Sequence, residues 1–106
     1  MITQLLQLAE ASPHKGCVLT YGHFTTIHPG HIRYLRHARG LGAPMMVALI
    51  GDDSGTYPFT QHERAEALSL LGIAYGVILL KSDELSEAID QLRPKVLVLG
   101  REYQHN

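Results

Sequence analysis

Cysteine is nearly absent from this chain: 106 residues carry one, Cys17. A single thiol excludes an internal disulfide and fits a reducing compartment. No apolar run approaches the ~20 residues of a membrane span, so no membrane partner is expected. The first residues lack the basic stretch and apolar core of a signal peptide, and a cytoplasmic location is expected. Neither sign of charge is in excess, with nine Lys and Arg against ten Asp and Glu and a formal net charge of −1. That balance gives no pull toward nucleic acid. There is no internal repeat and no low-complexity segment. What is present is 45% hydrophobic residues in a length that suits one domain, residues 1–106, with a modest core.

Those apolar residues alternate between two spacings. Ile2, Leu5, Leu6 and Ala9 fall at i, i+3, i+4 and i+7, which predicts a short amphipathic helix over residues 2–10. Ser12-Pro13-His14-Lys15-Gly16 breaks it, and a strand is expected over Cys17–Tyr21. Ile32, Leu35, Ala38 and Leu41 mark a helix that Gly40 and Gly42 end. Arg33, Arg36, His37 and Arg39 lie away from its stripe, as a solvated face or a contact for a phosphorylated partner. Met45–Ile50 is continuously apolar, the pattern of a strand buried on both faces of a parallel sheet. Thr60 and Glu63 form a capping box opening a helix that buries Ala65, Leu68 and Leu71 and stops at Gly72. Tyr75–Leu80 reads as a third strand. Ser82 is expected to cap the next helix, with Asp83 and Glu84 in its first turn and Leu85, Ala88, Ile89 and Leu92 inward. Pro94 closes that helix, and Val96–Leu99 is a fourth strand. The alternation predicts an α/β fold, a doubly wound, Rossmann-like parallel sheet with right-handed crossovers. Its switch point would bring Thr20-Tyr21 beside Leu99-Gly100, at the strand ends where ligands bind.

One stretch carries chemistry: Thr20-Tyr21-Gly22-His23-Phe24-Thr25-Thr26-Ile27-His28-Pro29-Gly30-His31. A strand, a short loop and a helix starting near Pro29 aim unpaired backbone N–H groups and a positive dipole end at the loop. Proline suits a first helical turn, and Gly30 leaves the backbone bare for a bulky anion. His28 and His31 sit about one turn apart, so both imidazoles can reach one anion. The pattern reads as a nucleoside triphosphate site. Two other readings are a plain helix start with solvated histidines, and a zinc site of His23, His28 and His31, which would want a fourth ligand. Asp52 and Asp53 follow an apolar strand at its carboxyl end, as holders of magnesium or a ribose hydroxyl or as turn acids. Arg64 is unfavourable for the dipole of its helix, so either a functional contact or a surface ion pair accounts for it.

With Gly22, Phe24, His28, Gly30, His31, Ala38, Leu41 and Gly42 in place, the chain resembles the cytidylyltransferase-like nucleotidyltransferases with the His-x-Gly-His signature. The likeness extends to glycerol-3-phosphate cytidylyltransferases and to the nucleotidyltransferase half of bifunctional heptose kinase/adenylyltransferases. The resemblance implies transfer of a nucleotidyl group from CTP or ATP to a phosphorylated small molecule, such as a sugar or polyol phosphate, with release of pyrophosphate. It implies His28 and His31 as catalytic residues. It also implies that Tyr21, Gly22, His23, Phe24, Gly30, Arg64, Gly100 and Glu102 bind nucleotide. Mg²⁺ is expected on the phosphates, and a homodimer is common among relatives. Thr25 stands where such enzymes commonly carry aspartate, and no lysine occurs between Met45 and Arg64. These departures motivate an alternative, a catalytically impaired nucleotide-binding domain regulating another enzyme such as a sugar kinase. The chain is expected to be the N-terminal part of a longer polypeptide, because relatives continue to a further phosphate motif.

Overall fold

The computed structural model describes residues 3–22, 24, 29–51 and 60–98. Among them, five parallel strands build one sheet: β1 (Gln4–Gln7), β2 (Val18–Gly22), β3 (Met45–Ile50), β4 (Gly76–Leu80) and β5 (Val96–Val98). Their spatial order is β1-β4-β3-β2-β5. The helices are α1 (Pro29–Arg39), α2 (Gln61–Leu71) and α3 (Leu85–Leu92). Strand residues alternate between the two faces of the sheet, and so the core divides in two. Val18, Met45, Val47, Leu49, Val77 and Leu79 meet Leu35 and Ala38 of α1 and Ala65 and Leu68 of α2. Leu19, Met46, Ala48, Ile78 and Leu80 meet Ala88 and Leu92 of α3 on the other face, with Leu8, Ala11 and Cys17. Helices on both faces confirm the doubly wound α/β reading, and all six residues of the central β3 are buried as its unbroken apolar run requires. Burial also pushes the Cys17 thiol above its ordinary pKa.

The N-terminal segment departs from its spacing. Instead of a helix over 2–10, Gln4–Gln7 pairs in parallel with β4, from Gln4 opposite Gly76 to Gln7 opposite Leu79. Short 3-10 turns over Leu8–Glu10 and Ser12–His14 follow it. Within the expected stripe, Leu6 is buried but Leu5 is 44% exposed, and Ala9 is exposed. The free edge of β4 supplies hydrogen bonds that a nine-residue helix in water could not match, since so short a helix is marginal alone. Thr3 fixes the entry, its Oγ1 donating to the Ala74 carbonyl at 2.7 Å.

Helix ends follow local chemistry. Thr60 Oγ1 accepts from the Glu63 N–H at 3.1 Å, and Glu63 Oε1 accepts from the Thr60 N–H at 3.0 Å. Gly72 closes α2 in the left-handed conformation at φ 64°, where a side chain would be strained. The start of α3 differs from expectation. Glu84 Oε1 accepts from the Lys81 N–H at 2.8 Å and the Glu84 N–H donates to the Lys81 carbonyl at 3.1 Å. Residues 81–84 thus form a closed turn, and Glu84 rather than Ser82 is the cap residue.

Candidate functional site

A parallel sheet leaves carbonyls to be satisfied where its strands end, and each one needs a partner. At β3 and β4 the partners come from the first turn of α2. Gln61 Nε2 donates to the carbonyls of Leu49 at 2.9 Å and Leu80 at 2.8 Å, tying the two strand ends together. Arg64 Nη1 donates to the Ile50 carbonyl at 3.0 Å. The Gly51 N–H donates to Leu80 at 2.8 Å. A Cβ on Gly51 would lie 3.0 Å from that same carbonyl oxygen, a tight contact that favours glycine at this crossing. Arg64 is 2% exposed, which removes the surface ion-pair reading. Its burial answers the dipole problem: the guanidinium supports the end of β3 instead of facing solvent.

The end of β2 is built differently. Gly22 pairs with Leu49, and two residues later Phe24 takes φ 49°. A bulky aromatic in the left-handed region is strained, by about 1–3 kcal/mol. The Phe24 ring is 6% exposed among Val18, Leu35 and Leu49, and that packing holds the turn. The Phe24 side chain therefore belongs to the core. Tyr21 is half-buried against the α3 side of the sheet.

Helix α1 begins at Pro29, with Gly30 partly exposed in its first turn. Leu35 and Ala38 are buried and Ile32 packs beside them, as the stripe predicts. Arg33, Arg36, His37 and Arg39 are exposed. Tyr34 reaches across the sheet from α1, its hydroxyl donating to the Val98 carbonyl at 2.7 Å. On β2, Thr20 lies opposite Val98, its Oγ1 buried without a partner among the described residues.

The chain passes from β2 to β3 and β4, then returns to place β5 on the opposite side of β2. The reversal of order therefore falls between β2 and β5, at the switch point expected from the sequence. Positive-ended α1 starts beside it. His31 lies in the first turn of α1, with its side chain outside the described residues. His23, His28, Asp52, Asp53, Gly100 and Glu102 also lie outside them. The structure thus brings together Tyr21, Gly22, Phe24, Gly30 and the backbone of His31 at one strand end, with Arg64 bracing the neighbouring one.

Among the described residues no group of three or more His, Cys, Asp or Glu side chains could hold a metal ion. Glu63 and Glu84, near the carboxyl ends of the strands, already accept backbone N–H bonds. These residues do not fit a protein-built magnesium cage. No described helix is long and apolar enough to cross a membrane.

Gln61 escaped the sequence reading, which saw only its neighbours Thr60 and Glu63 as a cap. Tyr34 escaped it too, because neither residue departs from ordinary helix composition.

A six-residue central strand, helices on both faces and a reversal of strand order between β2 and β5 define a doubly wound α/β protein. The chain belongs to the cytidylyltransferase-like nucleotidyltransferase family, whose sequence model matches residues 19–106. It is 36% identical over 96 residues to the bifunctional protein HldE of Magnetococcus marinus, covering 84% of this chain and 20% of that protein. It is 30% identical over 93 residues to the FAD synthase of Methanosarcina barkeri, covering 84% of this chain and 67% of the relative. The chain therefore spans about a fifth of the HldE relative's length. In fold it is similar to the lipopolysaccharide core biosynthesis protein of Thermoplasma volcanium, with a TM-score of 0.66 at 20% identity, covering 92% of this chain and 73% of that one.

Proposed function

We propose that this chain binds CTP or ATP at the β2–β5 switch point and transfers its nucleotidyl group to a phosphorylated small molecule, releasing pyrophosphate. The observation that carries the reading is a His-x-Gly-His segment leading into α1 at the carboxyl end of β2, in a member of the cytidylyltransferase-like family. Likeness to a bifunctional HldE and to an FAD synthase supports a phosphorylated acceptor of modest size.

The acceptor phosphate oxygen attacks the α-phosphorus in line, and the bond to the pyrophosphate oxygen breaks opposite it. The nucleophile is already anionic, so no side-chain base is needed, and catalysis rests on positioning and on stabilising charge at the phosphoryl oxygens. His28 and His31 donate to those oxygens, and either ring carries a donor whether neutral or protonated. Backbone N–H groups of His23, Phe24 and Gly30 cradle the phosphates beside the positive end of α1. Gly100 and Glu102 follow β5, where they contact the base or ribose. Magnesium, when bound, would supply positive charge against that of the phosphates.

Thr25 and the lysine-free stretch from Met45 to Arg64 favour a second reading, a domain that binds nucleotide without turning it over. One assay separates the two: pyrophosphate release by the full-length protein from CTP and ATP, over a panel of phosphorylated sugars and polyols. Release with any acceptor supports transfer. Nucleotide binding with no release across the panel favours the regulatory domain, and no binding of either nucleotide rejects both.

A further inference from the structure

Two separate parts of the chain border the proposed nucleotide site. One is α1, whose first turn holds Gly30 and His31. The other is β5, a strand of three residues that ends at Val98. β5 is lightly held for a strand. It lies at the end of the described sheet with β2 as its one neighbour there, meets β2 at three positions, and none of its residues is fully buried.

Tyr34 ties these two parts together. It lies one turn beyond His31 on α1. Its hydroxyl donates to the carbonyl of Val98, the last residue of β5, at 2.7 Å and across 64 residues of sequence. The side chain is half-buried and packs against the same core cluster as Val96 and Val98. Ile32, Leu35 and Ala38 also hold α1 to that core, but apolar contact is non-directional. It sets how close the helix lies and leaves its rotation and sliding less constrained. A hydrogen bond, with its narrow range of length and angle, constrains both. Thr20, opposite Val98 on β2, offers no second tie, because its buried hydroxyl has no partner among the described residues.

We propose that Tyr34 is a positioning residue for the nucleotide. Its bond to Val98 fixes the start of α1, which takes the phosphates, relative to the chain leaving β5, which takes the nucleoside. The proposal rests on the nucleotide-binding part of the transferase reading. Tyr34 acts through the two elements it joins and contacts neither half of the ligand. Two linked ligand halves reinforce one another only when their subsites lie at the spacing of the molecule. Loss of the tie therefore weakens the joined nucleotide and spares its triphosphate part.

Calorimetric titration of the full-length protein and of Tyr34→Phe tests this, with CTP, ATP and inorganic triphosphate as probes. The substitution removes one oxygen and keeps the ring with its packing, so the fold is retained, and a melting curve run beside the titration checks that. The variant should bind the preferred nucleotide about fivefold more weakly, within what one hydrogen bond can hold. It should bind inorganic triphosphate as tightly as the wild type does. Unchanged nucleotide affinity in the variant would overturn the proposal. So would an equal loss for nucleotide and triphosphate, the mark of a general loosening of the fold. Failure of the underlying reading looks different: the wild type itself would then bind neither CTP nor ATP, and the proposal would fall with it.

Discussion

The two halves of the sheet's carboxyl edge solve one problem in opposite ways. Where β3 and β4 end, the chain satisfies its own carbonyls with the side chains of Gln61 and Arg64. Near the end of β2 stand a strained residue, Phe24, and the start of α1 at Pro29. A closed edge is stiff, and the positive end of a helix favours an anion. The contrast teaches where stability and function should separate under mutation. Substitutions in the α2 turn should cost stability, whereas substitutions at the α1 turn should cost chemistry.

The largest expected effect tests the functional half. His31→Ala removes one proposed phosphate donor from the first turn of α1, and comparable losses lower turnover on the order of 10²–10³-fold. Thermal unfolding should be nearly unchanged. Pyrophosphate release measured beside a melting curve checks both, and wild-type turnover in the variant would break the comparison at its functional end.

Arg64→Met comes next. The substitution keeps much of the side-chain volume but strips the donor from the buried Ile50 carbonyl, at a cost of about 2 kcal/mol. Urea unfolding should show the midpoint falling without a change in slope. Gln61→Leu should follow at about 1–2 kcal/mol, because two carbonyls lose their side-chain donor but the site is only partly buried. If Gln61→Leu left stability untouched, the account of a self-sealed edge would fail.

How far the sequence could be read follows the range of each interaction. Met45–Ile50 was legible because burial on both faces leaves its mark in consecutive residues. The α2 cap was legible because Thr60 and Glu63 are three residues apart. The α1 start was legible through Pro29 and the stripe behind it. β1 was not: its partner is β4, with Gln4 opposite Gly76, and helical spacing in nine residues cannot report a pairing that remote. Arg64 was legible only as an anomaly, a cation at the wrong end of a dipole. Its reason, the Ile50 carbonyl, appears once α2 is laid against β3. Gln61 gave no signal because glutamine at a helix start is unremarkable until two strand ends come within its reach. The roles of His28, Gly100 and Glu102 rest on motif and resemblance, since those residues lie outside the described structure.

The smallest expected effect sharpens the comparison most finely. Thr60 caps α2 through Glu63, at the head of the turn from which Gln61 and Arg64 reach the strand ends. Thr60→Ala should cost about 1 kcal/mol, the usual worth of a cap, and Thr60→Ser should recover most of it through the same hydroxyl. If the first turn is held mainly by its cap, the loss in Thr60→Ala will approach that in Arg64→Met. If the side chains gripping β3 and β4 hold it, the loss stays near the cap's own value and adds to that of Gln61→Leu in the double variant. Urea unfolding of the two single variants and the double one decides between them, because neighbours that share a turn reveal their coupling as a departure from additivity. A loss near 1 kcal/mol is expected, because three carbonyls on two strands anchor the turn independently of Thr60.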